Sequence, residues 1–424
     1  MLKNFTIRNY KSIIEAEVPM TFLERKAPNG YKDYDTIPFI KEAGERLIPM
    51  LLMYGANASG KSNVISAFAL YLHIINENIQ GKFFPNKLSQ QNNSTSFEIS
   101  FVSDDKTYTH ELEYNASEIL NEKFFTKDKV FYEISKGKII RQSIEAKGYG
   151  IAEFENILEI ECSENKHHIA TFLPKICRRY PGLNEEMTNA FNYLMRSFIV
   201  LPADFKIHPE SVLSHFRGNG ISDNEAVKEI TDILQKIDIG ICRIELKPED
   251  YDISDMKNII PTAHPSYITN NVRQGITQRI NRIISYHKDV GGNEINFDFF
   301  TEESAGTQKL FIVIGLCIIA VKFGRIIIWD ELDASIHPFI LKEILSFFKS
   351  KRYNKTGAQL ISSLHDPYVL ESPDIRVSDF AIIDKTERLG TSISRGGEFN
   401  LRNINNFRKQ YLAGHFGGVP EPCL

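Results

Sequence analysis

The stretch Gly55–Ser62, GANASGKS, constrains this chain more than any other. Two glycines flank four residues and are followed at once by lysine and serine, the pattern of a loop that wraps phosphate. Gly55 and Gly60 let the backbone curl so that successive N–H groups point at one anion. Lys61 adds a compact positive charge for the same phosphates, and the Ser62 hydroxyl can ligate Mg²⁺. The flanks agree. Ile48–Tyr54 (IPMLLMY) is a short apolar run of the kind that forms a buried parallel strand, and Asn63–His73 has helical spacing with Val64, Ile65, Phe68 and Leu72 on one face. The expected nucleotide cradle comprises Gly55, Ala56, Asn57, Ala58, Ser59, Gly60, Lys61, Ser62 and Asn63.

A second motif, IIIWDELD at 326–333, completes the chemistry. Arg325–Trp329 reads as an apolar strand that ends in two acids, and strand ends of an open parallel sheet line the ligand crevice. Asp330 is placed to hold, through water, the Mg²⁺ bound by Ser62. Glu331 is placed to orient or deprotonate an attacking water. Upstream, EESAGTQKLF (302–311) sets the small residues Ser304, Ala305 and Gly306 before an apolar helix, an arrangement that suits an anion. Downstream, in LISSLHDPYVL (360–370), a strand over Gln359–Ser362 ends near His365, which is placed to contact a γ-phosphate.

The chain has 424 residues and a formal charge of −4, which argues against a surface coated in basic residues but leaves a local basic groove open. Its five cysteines, Cys162, Cys177, Cys242, Cys317 and Cys423, include no CxxC pair and read as isolated reduced thiols in a cytoplasmic protein. The opening MLKNFTIRNYKS lacks the apolar core of a signal peptide. The longest apolar stretch, Leu310–Val321, is too short to span a bilayer and is expected to be a buried helix, so no membrane association is expected.

Residues 1–20 read as a strand pair and 21–47 as a charged loop. A hairpin is expected over Ser96–Val102 and Tyr108–Tyr114 around Asp104-Asp105, with another strand pair over Lys129–Ile140. Leu183–Phe198 and Asp223–Ile237 have helical periodicity, the latter capped by Ser222. Proline and charge between Lys247 and Pro265 suggest a loop. The expected layout is an α/β head in two parts, 1–145 and 275–424, with a mainly helical subdomain, 146–274, inserted between them.

Taken together and in this order, the motifs resemble an ABC-type ATPase head of the SMC, RecF and OLD-like branch. LKNFTIRNYKSI resembles that branch's first strands, GANASGKSN its phosphate loop, ESAGTQ its signature, DELDASIHP its Walker B and D-loop region, and SSLHD its switch histidine. The tail YLAGHFGGVP (411–420) resembles that of compact ATPases from bacterial anti-phage loci, such as the AriA, PtuA and RloA-like proteins. The resemblance covers roughly residues 1–140 and 275–424. It implies a P-loop head with a mixed sheet and an antiparallel N-terminal β-subdomain. It also implies ATP and Mg²⁺ as cofactors, and catalysis by Lys61, Glu331 and His365. Ser304 and Gly306 would meet the γ-phosphate held by a second subunit, in a homodimer or larger homo-oligomer. The branch's D-loop aspartate is replaced here by His337, followed by Pro338, as in OLD-like members; Gln90 and Gln91 are candidates for the Q-loop. No nuclease constellation follows Glu331, so the implied defence role calls for a separately encoded effector, a nuclease, with nucleic acid or a phage protein as trigger. A RecF-like DNA-repair ATPase and a slowly hydrolysing sensor scaffold are the alternatives.

Overall fold

The computed structural model describes residues 1–21, 40–42, 45–87, 93–142, 156–157, 159–160, 163, 169–203, 209–237, 240–251, 278–372, 375–386, 390–399 and 407–419. It divides into two compact units. The first is Met1–Ala203, Ala320–Ala334 and Leu341–Leu424; the second is Asp204–Ile319 with Ser335–Ile340.

The first unit is organised by one mixed sheet of 13 strands. Five strands run parallel, in the spatial order Phe198–Leu201, Ile326–Trp329, Gln359–Ser363, Met50–Tyr54 and Phe380–Thr386. The rest pair antiparallel, continuing through Gly390–Arg395, Ile13–Pro19, Leu2–Tyr10, Thr95–Ser103, Lys106–Tyr114, Ile119–Thr126, Val130–Ser135 and Lys138–Gln142. The expected α/β head with an antiparallel β-subdomain is therefore present as a single continuous sheet. Local chemistry accounts for its corners. Asp104 and Asp105 take φ of 49° and 58°, the left-handed pair that a two-residue hairpin turn of the right twist requires.

The helix Lys61–Asn76 lies on this sheet. Val64, Ile65 and Phe68 are buried, as their spacing predicts, while Leu72 is only partly covered. Phe68 stacks on Phe5 with ring centroids 4.1 Å apart, and Tyr71 meets Phe97 edge-on. Each such buried ring contributes about 2–3 kcal/mol.

A polar knot ties the antiparallel strands to this helix. Glu122 is 2% exposed. Its Oε1 accepts from Tyr132 at 2.7 Å, from the Leu173 amide at 2.9 Å and from His110 Nε2 at 3.3 Å, while Oε2 accepts from the Phe172 amide at 2.7 Å. Tyr71 reaches His110 Nδ1 at 2.9 Å. Thr171, which precedes the helix Phe172–Arg179, makes no side-chain cap, so Glu122 satisfies the helix's first amides from a neighbouring strand. Burial raises the Glu122 pKa, but the bonds from His110, the Phe172 amide and Tyr132 outweigh it and leave it below the usual value. A folded-state pKa that is depressed stabilises above the unfolded value, about 4.3, and that stability is lost as pH falls through the folded one. Urea midpoints of the wild type are thus expected to fall between pH 5 and pH 3. Glu122→Gln should flatten that slope, and Glu122→Ala should cost roughly 3 kcal/mol at neutral pH.

In the second unit, the helices Pro209–Gly218 and Asp223–Leu234 precede a three-stranded antiparallel sheet of Ile241–Tyr251, Gln278–Lys288 and Glu294–Asp298. Ser222 caps its helix in a full capping box, as its position predicts. The segment Lys247–Tyr251 is strand rather than the expected loop. Among the described residues Ile241–Tyr251 is an edge strand of its sheet, where Pro248 is tolerated; residues 252–277 lie outside the described residues. The helix Ala305–Phe323 has 19 residues and is, by length and composition, long and apolar enough to cross a membrane, which Leu310–Val321 alone is not. Its most apolar window is 67% buried inside the protein, as befits a core helix. An added Cβ at Gly315 would lie 2.4 Å from Val212, so Pro209–Gly218 packs directly on its backbone.

Candidate nucleotide site

The phosphate loop joins a fully buried strand, Met50–Tyr54, to the helix that begins at Lys61. Both glycines are required. A Cβ at Gly55 would sit 2.1 Å from the Ile383 carbonyl oxygen, and one at Gly60, whose φ is 111°, would sit 2.0 Å from Thr391 Oγ1. Ala58 also takes a left-handed φ of 63°. Lys61 Nζ donates to the carbonyls of Gly55 at 2.7 Å and Ala56 at 3.1 Å. Burial lowers its pKa, and Asp330, Glu331 and Asp333 oppose that shift, so these acids lie within electrostatic reach of the ammonium. Ser59 Oγ is buried without a hydrogen-bond partner. A closed curl with an unspent hydroxyl and a lysine held at its rim fits a bound polyphosphate. Ser62, Asn57 and Ala58 are exposed at the mouth.

A relay absent from the motif fixes the loop. Thr391 Oγ1 donates to the Ser59 carbonyl at 2.9 Å and so accepts from Ser12 Oγ at 2.7 Å. Ser12 in turn accepts from Asn63 Nδ2 at 2.7 Å. The tail closes the other side. Tyr411 stands 5.8 Å from Tyr54 ring to ring, donates to the Gly418 carbonyl at 3.1 Å and takes a backbone bond from Gly55. Gly418, with φ of 68°, approaches so closely that a Cβ there would lie 3.3 Å from Gly55 Cα.

Sheet order brings the acids to the loop. The strand Gln359–Ser363 lies between Met50–Tyr54 and Ile326–Trp329, all three parallel, so Gly55, the His365 turn and Asp330-Glu331 emerge side by side. Asp330 is 3% exposed. Ser363 Oγ donates to its Oδ1 at 2.5 Å and accepts from the Glu331 amide at 2.7 Å, locking both acids to the central strand. Glu331 takes a left-handed φ of 54°. Its Oε1 stands 3.4 Å from His365 Nε2. Asp333 Oδ2 accepts the consecutive amides of His365 and Asp366, at 2.7 and 2.8 Å, and thereby fixes the histidine's turn.

The structure gathers the sequence-predicted Lys61, Ser62, Asp330, Glu331 and His365 at the ends of the parallel strands, and sets beside them Ser12, Ser363, Thr391 and Tyr411, to which the sequence reading assigns no role. Only the Gly-Thr pair at 390–391 and the serines of SSLHD offer a local signal. Ser304, Ala305 and Gly306 belong to the second unit. There Ser304 caps the helix Ala305–Phe323, accepting from the Thr307 amide at 3.1 Å, and Ser304 and Ala305 are exposed. A Cβ at Gly306 would meet the Ser335 carbonyl oxygen at an ordinary 3.6 Å. His337 and Phe339 are exposed in the same unit. Gln90 and Gln91 lie outside the described residues.

A phosphate loop at the ends of parallel strands, beside an Asp-Glu pair and a histidine, defines a P-loop nucleotide-binding ATPase domain. Residues 50–148 and 188–371 match the model of the family described as "AAA domain, putative AbiEii toxin, Type IV TA system", and the chain belongs to that family. No curated protein matches the chain. Among solved structures it is similar to an SMC head bound to the C-winged helix domain of ScpA, with 12% identity, 93% of this chain and 97% of that one covered, and a TM-score of 0.47. It is also similar to the SMC head domain from Thermotoga maritima, with 11% identity, coverage of 93% and 98%, and a TM-score of 0.41.

Proposed function

We propose that this chain is an ATP-hydrolysing switch that dimerises around ATP and controls a separately encoded effector, a nuclease, in bacterial anti-phage defence. The observation that carries the ATPase reading is the Ser363 hydroxyl, which binds Asp330 and the Glu331 amide together beside the phosphate loop. In this reading the loop amides, Ser59 and Lys61 hold the polyphosphate. Ser62 and Asp330 supply oxygen ligands for Mg²⁺, which when bound offsets phosphate charge. Glu331 orients a water and takes its proton, and His365, held 3.4 Å from Glu331, senses the γ-phosphate. Ser304 and Gly306 act on the nucleotide of a second copy. The 3.6 Å clearance at Gly306 supports this, because the Ser335 carbonyl leaves room for a side chain there and a close approach from outside accounts for the glycine.

The family description names a "putative AbiEii toxin" of a type IV toxin–antitoxin system, which supports action alongside a second gene product; the nuclease is this proposal's own addition. The docking surface assigned to the effector is the insertion, about residues 150–270, and within it the part after Ala203, because Phe198–Leu201 belongs to the large sheet beside the strand that ends at Asp330. ATP-driven closure would bring two insertions together and give a partner differential contacts to read. Cells expressing this chain with its neighbouring genes, challenged with a phage panel, are expected to be protected, whereas the chain alone is not. A neighbour-encoded protein should co-purify and be lost when the part of the insertion after Ala203 is trimmed. Full protection by this chain alone, or DNA cleavage by the purified chain that survives Glu331→Gln, would refute this reading.

A further inference from the structure

The turn that carries Ser304 is clamped from both sides. Ser285 and His287 occupy alternate positions on the strand Gln278–Lys288 and so share one face of the three-stranded sheet. Both reach the same atom. Ser285 Oγ lies 2.5 Å and His287 Nε2 2.6 Å from Oε1 of Glu303, the residue immediately before Ser304. The Glu303 side chain is only 9% exposed. An ionised carboxylate only accepts, so His287 Nε2 carries the proton. The Glu303 carbonyl is held from the other side by Gln308 Nε2 at 3.1 Å, which also reaches the Phe300 carbonyl at 3.0 Å. The segment leading in is tied down as well. Asp298 accepts from the amides of Phe300 and Thr301 at 3.0 and 2.9 Å, and Arg282 Nε bonds its other oxygen at 2.5 Å.

Folding alone asks for less than this. Ser304 already caps its helix, and a capped helix start does not need its preceding side chain fixed by two donors on a separate sheet. Two donors converging on one oxygen restrict where that side chain, and the exposed residues after it, can go. We propose that Ser285 and His287, acting through Glu303, set the position of the Ser304–Gly306 turn for hydrolysis at the nucleotide of a second copy. His287 and Glu303 are then positioning residues, and the three-stranded sheet is the body against which the turn is held. The proposal rests on the composite site proposed for Ser304 and Gly306.

The test is complementation between variants of the full chain. His287→Ala and Glu303→Ala are expected to bind ATP as the wild type does and to hydrolyse it roughly 10- to 100-fold more slowly, the loss expected from a small misplacement of a reacting group. His287→Gln, whose amide can still donate to Glu303, should recover most of the rate. A His287→Ala chain mixed with Lys61→Ala should regain one working site, since an intact loop meets an intact turn; mixed with Ser304→Arg it should not. Wild-type turnover by both alanine variants overturns the proposal, as does loss of ATP binding in His287→Ala. So does an inactive His287→Ala/Lys61→Ala heterodimer when Ser304→Arg/Lys61→Ala is active. If the latter heterodimer is itself inactive, the composite-site reading fails first and the proposal falls with it.

Discussion

Glu331→Gln protein is expected to bind ATP with wild-type affinity and to hydrolyse it about 100- to 1000-fold more slowly. The amide keeps the shape of the side chain and can still face His365, 3.4 Å away, but it cannot take a proton from water. Lys61→Ala should fail one step earlier. Its ammonium is already buried at the rim of the loop and bonded to the Gly55 and Ala56 carbonyls, so its removal takes away the charge that meets the phosphates. The split is therefore a loss of binding for Lys61→Ala against a loss of turnover alone for Glu331→Gln. Isothermal titration with ATP and a phosphate-release assay measure the two separately. Wild-type turnover by Glu331→Gln would remove Glu331 from the mechanism.

The second large effect is in trans. Ser304→Arg should abolish turnover while leaving ATP binding by the isolated subunit intact, because the arginine adds bulk and charge to a position that is exposed within its own chain. Lys61→Ala should also be inactive. In a verified mixed dimer the two should restore one site of the two, and thus up to about half the wild-type rate if the sites act independently. An inactive mixed dimer would show that loop and turn do not meet across chains.

How much of this site is legible in the sequence depends on chain geometry. The phosphate loop is legible because its conformation is local: Gly55, Gly60 and Lys61 do their work within eight consecutive residues. Asp330 and Glu331 are legible because a run of three isoleucines and a tryptophan announces a buried strand, and a strand end fixes where the next residues emerge. Ser363 stands inside a recognisable motif yet shows no task there, since its two bonds join residues 33 and 32 positions away and exist only once strands are ordered in the sheet. Ser12 is invisible in the sequence for the same reason, and the Gly-Thr pair at 390–391 marks a turn without showing what Thr391 braces. The loop expected over Lys247–Pro265 gives way to strand over Lys247–Tyr251 for a different reason. Proline reads as a breaker, but a strand at the edge of its sheet among the described residues can carry Pro248. The short strands Phe380–Thr386 and Gly390–Arg395 escape a sequence reading because a run of four apolar residues has no period to read.

The relay from Asn63 through Ser12 to Thr391 sets a timetable for biosynthesis. Thr391 meets the Ser59 carbonyl across 332 positions of sequence, and Ser12 lies 379 positions from Thr391. On a ribosome adding roughly 5–20 residues per second, the loop emerges on the order of half a minute before the hydroxyl that braces it. Until then the curl at Gly60 lacks the hydroxyl that braces it. The brace on the curl at Gly60 is therefore among the last contacts of this loop to form, because it waits for a hydroxyl made long after the loop itself.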